Sequence, residues 1–262
     1  MIRLFNYVGT LLLWTVTNLG LFFEMLIEMV RLLPQIRKYW SYTTEQMIQI
    51  GLHSLPIILF IAFFSGMVTA VQTGYQFQAY VPLYLVGSVV LESVVLELAP
   101  VLGGLVLSGR IGAKIAAEIG TMKVTEQIDA MEVMAMNPYL YLAIPRILAG
   151  MVMVPILVVF ADLIGVVSGM VVATSTMDVT VPDFVKGMRA FWKEKDAYFG
   201  LAKAFSFGLA ITSVACFQGF RVPTNSGAEG VGAATTNTVV VSCLVILLLD
   251  YVLARALLYT VI

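Results

Sequence analysis

The run IPRILAGMVMVPILVVFADLIGVVSGMVVAT, residues 144–174, carries one charge, Asp162, beyond the Arg146 near its start. Bilayer hydrocarbon offers the backbone no hydrogen-bond partner, and about 20 mostly apolar residues of helix suffice to cross it. Four more stretches meet that standard, at about 51–73, 83–108, 202–220 and 238–260. None shows the alternation of apolar and polar residues that a barrel strand requires. Composition agrees, since the 262 residues are 60% hydrophobic and 12% charged, where a soluble domain runs at about 25% charged. The mean hydropathy is +0.95. An ordinary soluble enzyme, a disordered chain and a disulfide scaffold are excluded. The fold class predicted is all-α, a polytopic membrane protein with five transmembrane helices. A net charge of −1 leaves no basic footprint for nucleic acid. Cys216 and Cys243 lie inside apolar runs and read as small packing residues.

Residues 1–48 read differently from residues 49–262. The run from Leu4 to Phe23 is long enough to span, yet Asn6, Thr10, Thr15, Thr17 and Asn18 interrupt it. Glu24, Glu28 and Arg31 then follow on one helical face. A single polar stripe favours an N-terminal interfacial helix over a sixth span. One Arg before the apolar run, with no small-residue cleavage site after it, argues against a cleavable signal peptide. Lys and Arg near the spans set orientation. Arg3, Arg31, Arg37 and Lys38 precede the first span, about 74–82 is uncharged, and Arg110, Lys114, Lys123 and Arg146 mark the second connection. This places the N-terminus in the cytoplasm. Lys186, Arg189, Lys193 and Lys195 in the third connection run against the trend.

Lipid gives helices no hydrophobic reason to associate, so small residues that let backbones approach take over. Gly104, Ser108, Gly112, Ala116 and Gly120 form one ladder at four-residue spacing; Ala161, Gly165, Gly169 and Ala173 form another. Both predict close packing, within the chain or, for one of them, across a subunit interface. Ionisable groups at membrane depth cost at least a few kcal/mol unless they meet water or a partner. Glu92, Glu97, Asp162 and Asp250 are such groups. Glu92 and Glu97 stand about 140° apart around a helix, so they do not share a face. Pro100 frees a backbone carbonyl beside Glu97, which either lines a polar cavity or bonds a neighbouring helix. Asp162 and Asp250 read as structural. Arg110, Lys114 and Glu118 form a polar stripe that reads as a solvated face.

The segment TEQIDAMEVMAMNP, residues 125–138, is the most informative for function. Thr125 reads as an N-cap, Asn137-Pro138 as a stop, and the early acids suit the helix dipole. On a helical wheel Glu126, Asp129 and Glu132 oppose Ile128, Met131, Met134 and Ala135. A short helix of this kind between two spans is built to dock, its apolar arc in a groove and its acids against a basic rim. No G-x-x-x-x-G-K-[ST] loop is present, because Gly109 to Lys114 has the wrong spacing. Nor is there a G-x-S-x-G or an H-E-x-x-H, and the single His53 reads as a helix-start residue. Spans plus a docking helix, without an ATPase of their own, point to a permease driven by a separate subunit.

At these residues the chain resembles the MlaE family, permeases of MCE-associated ABC lipid transporters. The block from Glu118 to Glu132 looks like the family signature, continued by Asn137-Pro138, Pro145-Arg146 and Gly150. Further matches are Pro223 to Thr236, Glu97 to Pro100, and Ser108 to Gly112, together covering roughly 50–260. The resemblance implies elbow helices over 1–48 and a five-span permease domain over 49–262, in a homodimer. It makes about 125–137 a coupling helix seated in a cleft of an ABC ATPase, with Thr125, Glu126, Ile128, Asp129, Met131 and Glu132 as its contacts. It also implies a STAS-domain protein, a periplasmic MCE-domain protein, an inner-membrane location, and phospholipid moved between inner and outer membranes. No cofactor would be bound by this chain, ATP and magnesium belonging to the ATPase. In the family the end of the first span and the start of the second line the lipid cavity. The matching positions here are Gln72, Tyr75, Tyr80 and Glu97. Family members often place an arginine before the residue matching Glu97 and another at the start of the fifth span; this chain has Leu96 and Asn237 there. Related systems leave another lipid, such as a sterol, as an alternative cargo. The rival reading is an ion-coupled secondary transporter using Glu92, Glu97, Asp162 and Asp250, though no inverted repeat with broken helices is visible.

Overall fold

The computed structural model describes residues 2–35, 40–77 and 81–261, and no strand occurs among them. In chain order the helices are α1 (Ile2–Leu32), α2 (Trp40–Ile50), α3 (Leu55–Phe77), α4 (Leu83–Val124) and α5 (Gln127–Val133). They are followed by α6 (Tyr139–Thr176), α7 (Val181–Phe191), α8 (Glu194–Phe220) and α9 (Gly227–Val261). Five of them, α3, α4, α6, α8 and α9, are long and apolar enough to cross a membrane. The all-α polytopic expectation holds.

The spans outrun the apolar stretches that announced them. At 42 residues, α4 is about 60 Å long, twice the thickness of bilayer hydrocarbon, so its C-terminal part projects beyond the membrane. The fourth span starts at Glu194 because Asp196 accepts a hydrogen bond from Lys193 N at 3.2 Å and caps the helix before the apolar run begins. The charged third connection folds as the amphipathic helix α7. Thr180 Oγ1 accepts from Asp183 N at 3.3 Å, and Phe184 is buried beneath the helix. Lys186, Arg189, Lys193 and Lys195 remain exposed there. Lys186 and Arg189 put their charge on the outer face of α7, while Lys193 precedes α8 and Lys195 lies in its first turn.

The helix α3 packs along α6, and α8 sits centrally against α4, α6 and α9. Small residues decide both. A Cβ added at Gly66 of α3 would lie 2.0 Å from the Gly165 carbonyl oxygen of α6, and one at Gly208 of α8 would lie 2.4 Å from that of Gly150. Backbones in such contact leave no room for a side chain. The two predicted ladders are both used inside this chain. Gly104, Gly112 and Gly120 face Phe207, Thr238 and Val222, with Ser108 Oγ 3.2 Å from Cys243 Sγ and Ala116 buried. Gly165 and Gly169 face Val94 and Val90, between the buried Ala161 and Ala173. A subunit interface built on either ladder is therefore not available while these contacts stand.

In α9 a buried face of Ala234, Thr238, Ser242 and Ile246 meets the bundle, while Val240, Leu244, Leu248 and Tyr251 are exposed. The helix α1 meets the bundle at the end that carries α5. There Phe22 stacks edge-on against Phe217 at 5.3 Å, Arg221 donates to Asn18, and Met25 and Met29 are buried.

Candidate functional site

The polar centre of the bundle is a lysine that sequence reading passed over. Lys203 lies nine residues into α8, about 14 Å from its α7 end, and only 2% of its side chain is exposed. Its Nζ donates to Glu97 Oε1 at 2.7 Å and to the Leu96 carbonyl at 3.0 Å. Asp250 Oδ1 of α9 lies 2.8 Å from the same nitrogen but outside hydrogen-bond geometry, so charge alone holds it. One cation thus ties three spans together, and the cluster keeps one net negative charge.

The local backbone explains why Glu97 is here. Residues Val94–Leu102 form a π-helical segment around Pro100. Proline has no N–H to offer the carbonyl four residues back, and the wider turn relieves its ring. That carbonyl is Leu96, which Lys203 satisfies. The same turn presents Glu97 outward, with 49% of its side chain exposed, while Asp250 retains 21%. Of the two alternatives for Glu97 the structure shows the bond to a neighbouring helix, and half of the side chain stays exposed. Asp250 is structural in the sense expected. Asp162 lies apart with a buried Oδ1 that has no hydrogen-bond partner among the described residues, and Glu92 is half-buried. The four intramembrane acids do not form one site, since Lys203 collects only two of them.

Gln72 and Tyr75 lie on the exposed face of α3 near its α7 end, Tyr75 with 78% of its surface open. Neither bonds Glu97 among the described residues. Tyr80, the remaining residue assigned to the pathway, lies outside the described residues.

At the opposite end, α5 is shorter than the expected 125–137 helix. Thr125 is not its N-cap: it closes α4, and its Oγ1 donates to the Thr121 carbonyl at 2.8 Å. Glu126 takes the N-cap position at φ 59°, and Ala135 follows the helix at φ 58°. Beyond Val133, Met136 N bonds the Met131 carbonyl and Ala135 N that of Glu132, each at 2.9 Å. That is the Schellman pattern, with alanine where glycine is usual. Asn137 does not stop this helix; its Oδ1 accepts from Tyr139 N at 2.9 Å and starts α6. Left-handed residues on both sides, each costing about 1–2 kcal/mol outside glycine, set α5 at an angle to α4 and α6.

The faces of α5 also differ from the wheel. Ile128 is 2% exposed and belongs to the chain's own core, and Met131 is half-buried. Asp129 pairs with Lys123 at 2.5 Å. The free face consists of Glu126, Ala130, Glu132, Val133 and Met134, with Val133 at 88% and Met134 at 61% exposure. An acidic and apolar surface remains exposed, in which Glu126 and Glu132 stand as expected while Val133 and Met134 replace Ile128 and Met131.

Comparison with known proteins follows the same residues. The family described as Permease MlaE matches residues 43–256. A protein of Rickettsia prowazekii named a probable ABC transporter permease is 39% identical over 217 residues, 83% of each chain. The intermembrane phospholipid transport system permease of Haemophilus influenzae is 38% identical over 227 residues, 84% of each chain. A probable ABC transporter permease of Synechocystis is 36% identical over 244 residues, covering 90% of this chain and 92% of the relative.

Proposed function

The chain belongs to the MlaE permease family, and from that premise we propose that it is the membrane subunit through which an ABC transporter moves phospholipid between inner and outer membranes. A separate ATPase docks on α5, and ATP and magnesium are handled there. Two copies enclose the lipid cavity between them in the inner membrane, the N-terminus and α5 face the cytoplasm, and the α7 end faces a periplasmic MCE-domain partner. A STAS-domain protein joins on the ATPase side.

The observation that carries this reading is α5. A two-turn helix with a free acidic and apolar face, set off by left-handed residues and joined directly to two spans, can pass a push from a partner into α4 and α6. Arg146 stiffens that junction. Its guanidinium is buried, donating to the Leu142 carbonyl at 2.7 Å and to Glu118 of α4 at 3.0 Å. The π-helical turns in α4 at Val94–Leu102 and Ser108–Gly112 are where such a push bends the helix. The Haemophilus relative's name supports phospholipid as cargo. With Leu96 and Asn237 in the positions where an arginine was expected, Lys203 is the cation at Glu97. It is already committed to two carboxylates, so the cluster fixes helices and gives the cavity a polar wall, and is not a ready receptor for phosphate.

Mass spectrometry of lipid carried through purification in mild detergent tests the cargo. Phospholipid retained with the chain and its ATPase is expected. Retention of sterol, or of no lipid, would contradict the assignment.

A further inference from the structure

We propose that the crevice between α2 and α4, at the α5 end of the bundle, binds the phosphate of a membrane lipid in the leaflet on that side. Gln46, Gln49, His53, Arg110, Lys114 and Glu118 line it, around a volume of about 60 Å³. That is roughly two waters' share of liquid volume, room for one phosphate group. The stripe Arg110, Lys114, Glu118 is thus no plain solvated face, because α2 folds over it.

Charge in the crevice is unbalanced. Lys114 Nζ donates to Gln49 Oε1 at 3.0 Å and lies 3.6 Å from Glu118 Oε1. Glu118 is held on its other oxygen by the buried Arg146 at 3.0 Å. Arg110 is exposed and has no hydrogen bond or ion pair among the described residues. Two cations, Arg110 and Lys114, therefore line the crevice with one carboxylate, an excess of one positive charge, and that carboxylate is also engaged by Arg146 from outside the lining. The π-helical turn Ser108–Gly112 carries Arg110, and Gly109 beside it has open space around it, so the guanidinium is free to meet a ligand.

Depth and surroundings identify the ligand as a lipid. His53 and Ser54 immediately precede Leu55, where the α3 span begins, so the crevice lies at the level of headgroups. From it rises an exposed apolar face of α3: Ile57, Phe60, Phe64, Val68 and Val71. These recur every three or four residues and form one stripe. A free anion needs only the donors at the foot of that stripe. A phospholipid uses both, its phosphate on Arg110 and Lys114 and its chains along the phenylalanines. Basic pockets at the ends of spans favour anionic headgroups in this manner.

The test reads lipid occupancy and is independent of transport. The full chain is released from nanodiscs of mixed phosphatidylglycerol and phosphatidylcholine, and bound lipid is counted by native mass spectrometry. The native chain is expected to retain phosphatidylglycerol, and Arg110→Gln/Lys114→Gln to bind it about tenfold more weakly. Lys186→Gln/Arg189→Gln, at the α7 end, should retain this lipid as the native chain does. Gln46→Glu, which removes no cation, should also expel the lipid and guards against misfolding of the double variant. Unchanged retention in a folded Arg110→Gln/Lys114→Gln variant overturns the proposal. So does full displacement by inorganic phosphate, which would make the site one for a free anion.

Discussion

Lys203→Met is expected to destabilise the folded chain by about 3 kcal/mol, the size found when one partner of a buried ion pair is removed. The lysine is 2% exposed and has two carboxylates within 2.8 Å. Without it Asp250 and Glu97 face each other across the bundle, and the Leu96 carbonyl loses its donor. The losses are unequal by partner. Glu97→Gln keeps the Asp250 pair and the carbonyl bond, and half of Glu97 is already exposed, so about 1 kcal/mol is expected. Asp250→Asn falls between. The double variant Lys203→Met/Asp250→Asn should be more stable than Lys203→Met alone, because it removes the stranded charge along with its partner. Thermal unfolding in detergent followed by size-exclusion recovery checks the order. A Lys203→Met chain as stable as the native one would mean that the three spans are held by packing alone.

Reversing the free acids of α5 has the second large effect. Glu126→Lys/Glu132→Lys is expected to weaken co-purification of the ATPase by about tenfold or more, since like charges brought together at an interface cost several kcal/mol. Binding by the native chain should fall as salt is raised. Asp129 is a poor choice for this test, because reversing it sets two lysines against each other at Lys123. The swap Lys123→Asp/Asp129→Lys restores that pair and should keep the ATPase. If Glu126→Lys/Glu132→Lys binds as the native chain does while remaining folded, the docking face lies elsewhere.

The spans were legible because a backbone in hydrocarbon leaves a run of about 20 apolar residues as its trace. Their ends were not, since helices continue into water under polar control, as Asp196 and Asn137 do at the starts of α8 and α6. Helix stops without glycine leave no mark either. Glu126 and Ala135 adopt left-handed conformations that nothing in their side chains announces, so α5 is shorter than the pattern of 125–137 suggests and exposes a different face. The ladders correctly announced close approach. Their partners, Gly66 and Val90 for one and Phe207 and Thr238 for the other, depended on tertiary arrangement. Lys203 had a readable signal: carboxylates at Glu97 and Asp250 require a cation at the same depth, and Lys203 is the lysine inside the fourth apolar run. It stands one residue inside the start of that run, which makes it resemble the flanking charges of the third connection.

Reconstitution of the chain with its ATPase in proteoliposomes, followed by transfer of labelled phospholipid to an acceptor, tests the permease assignment most directly. Transfer that requires ATP, persists with an uncoupler present, and disappears with Glu126→Lys/Glu132→Lys is the predicted result. Transfer that ignores ATP and stops when the proton gradient is collapsed would contradict it.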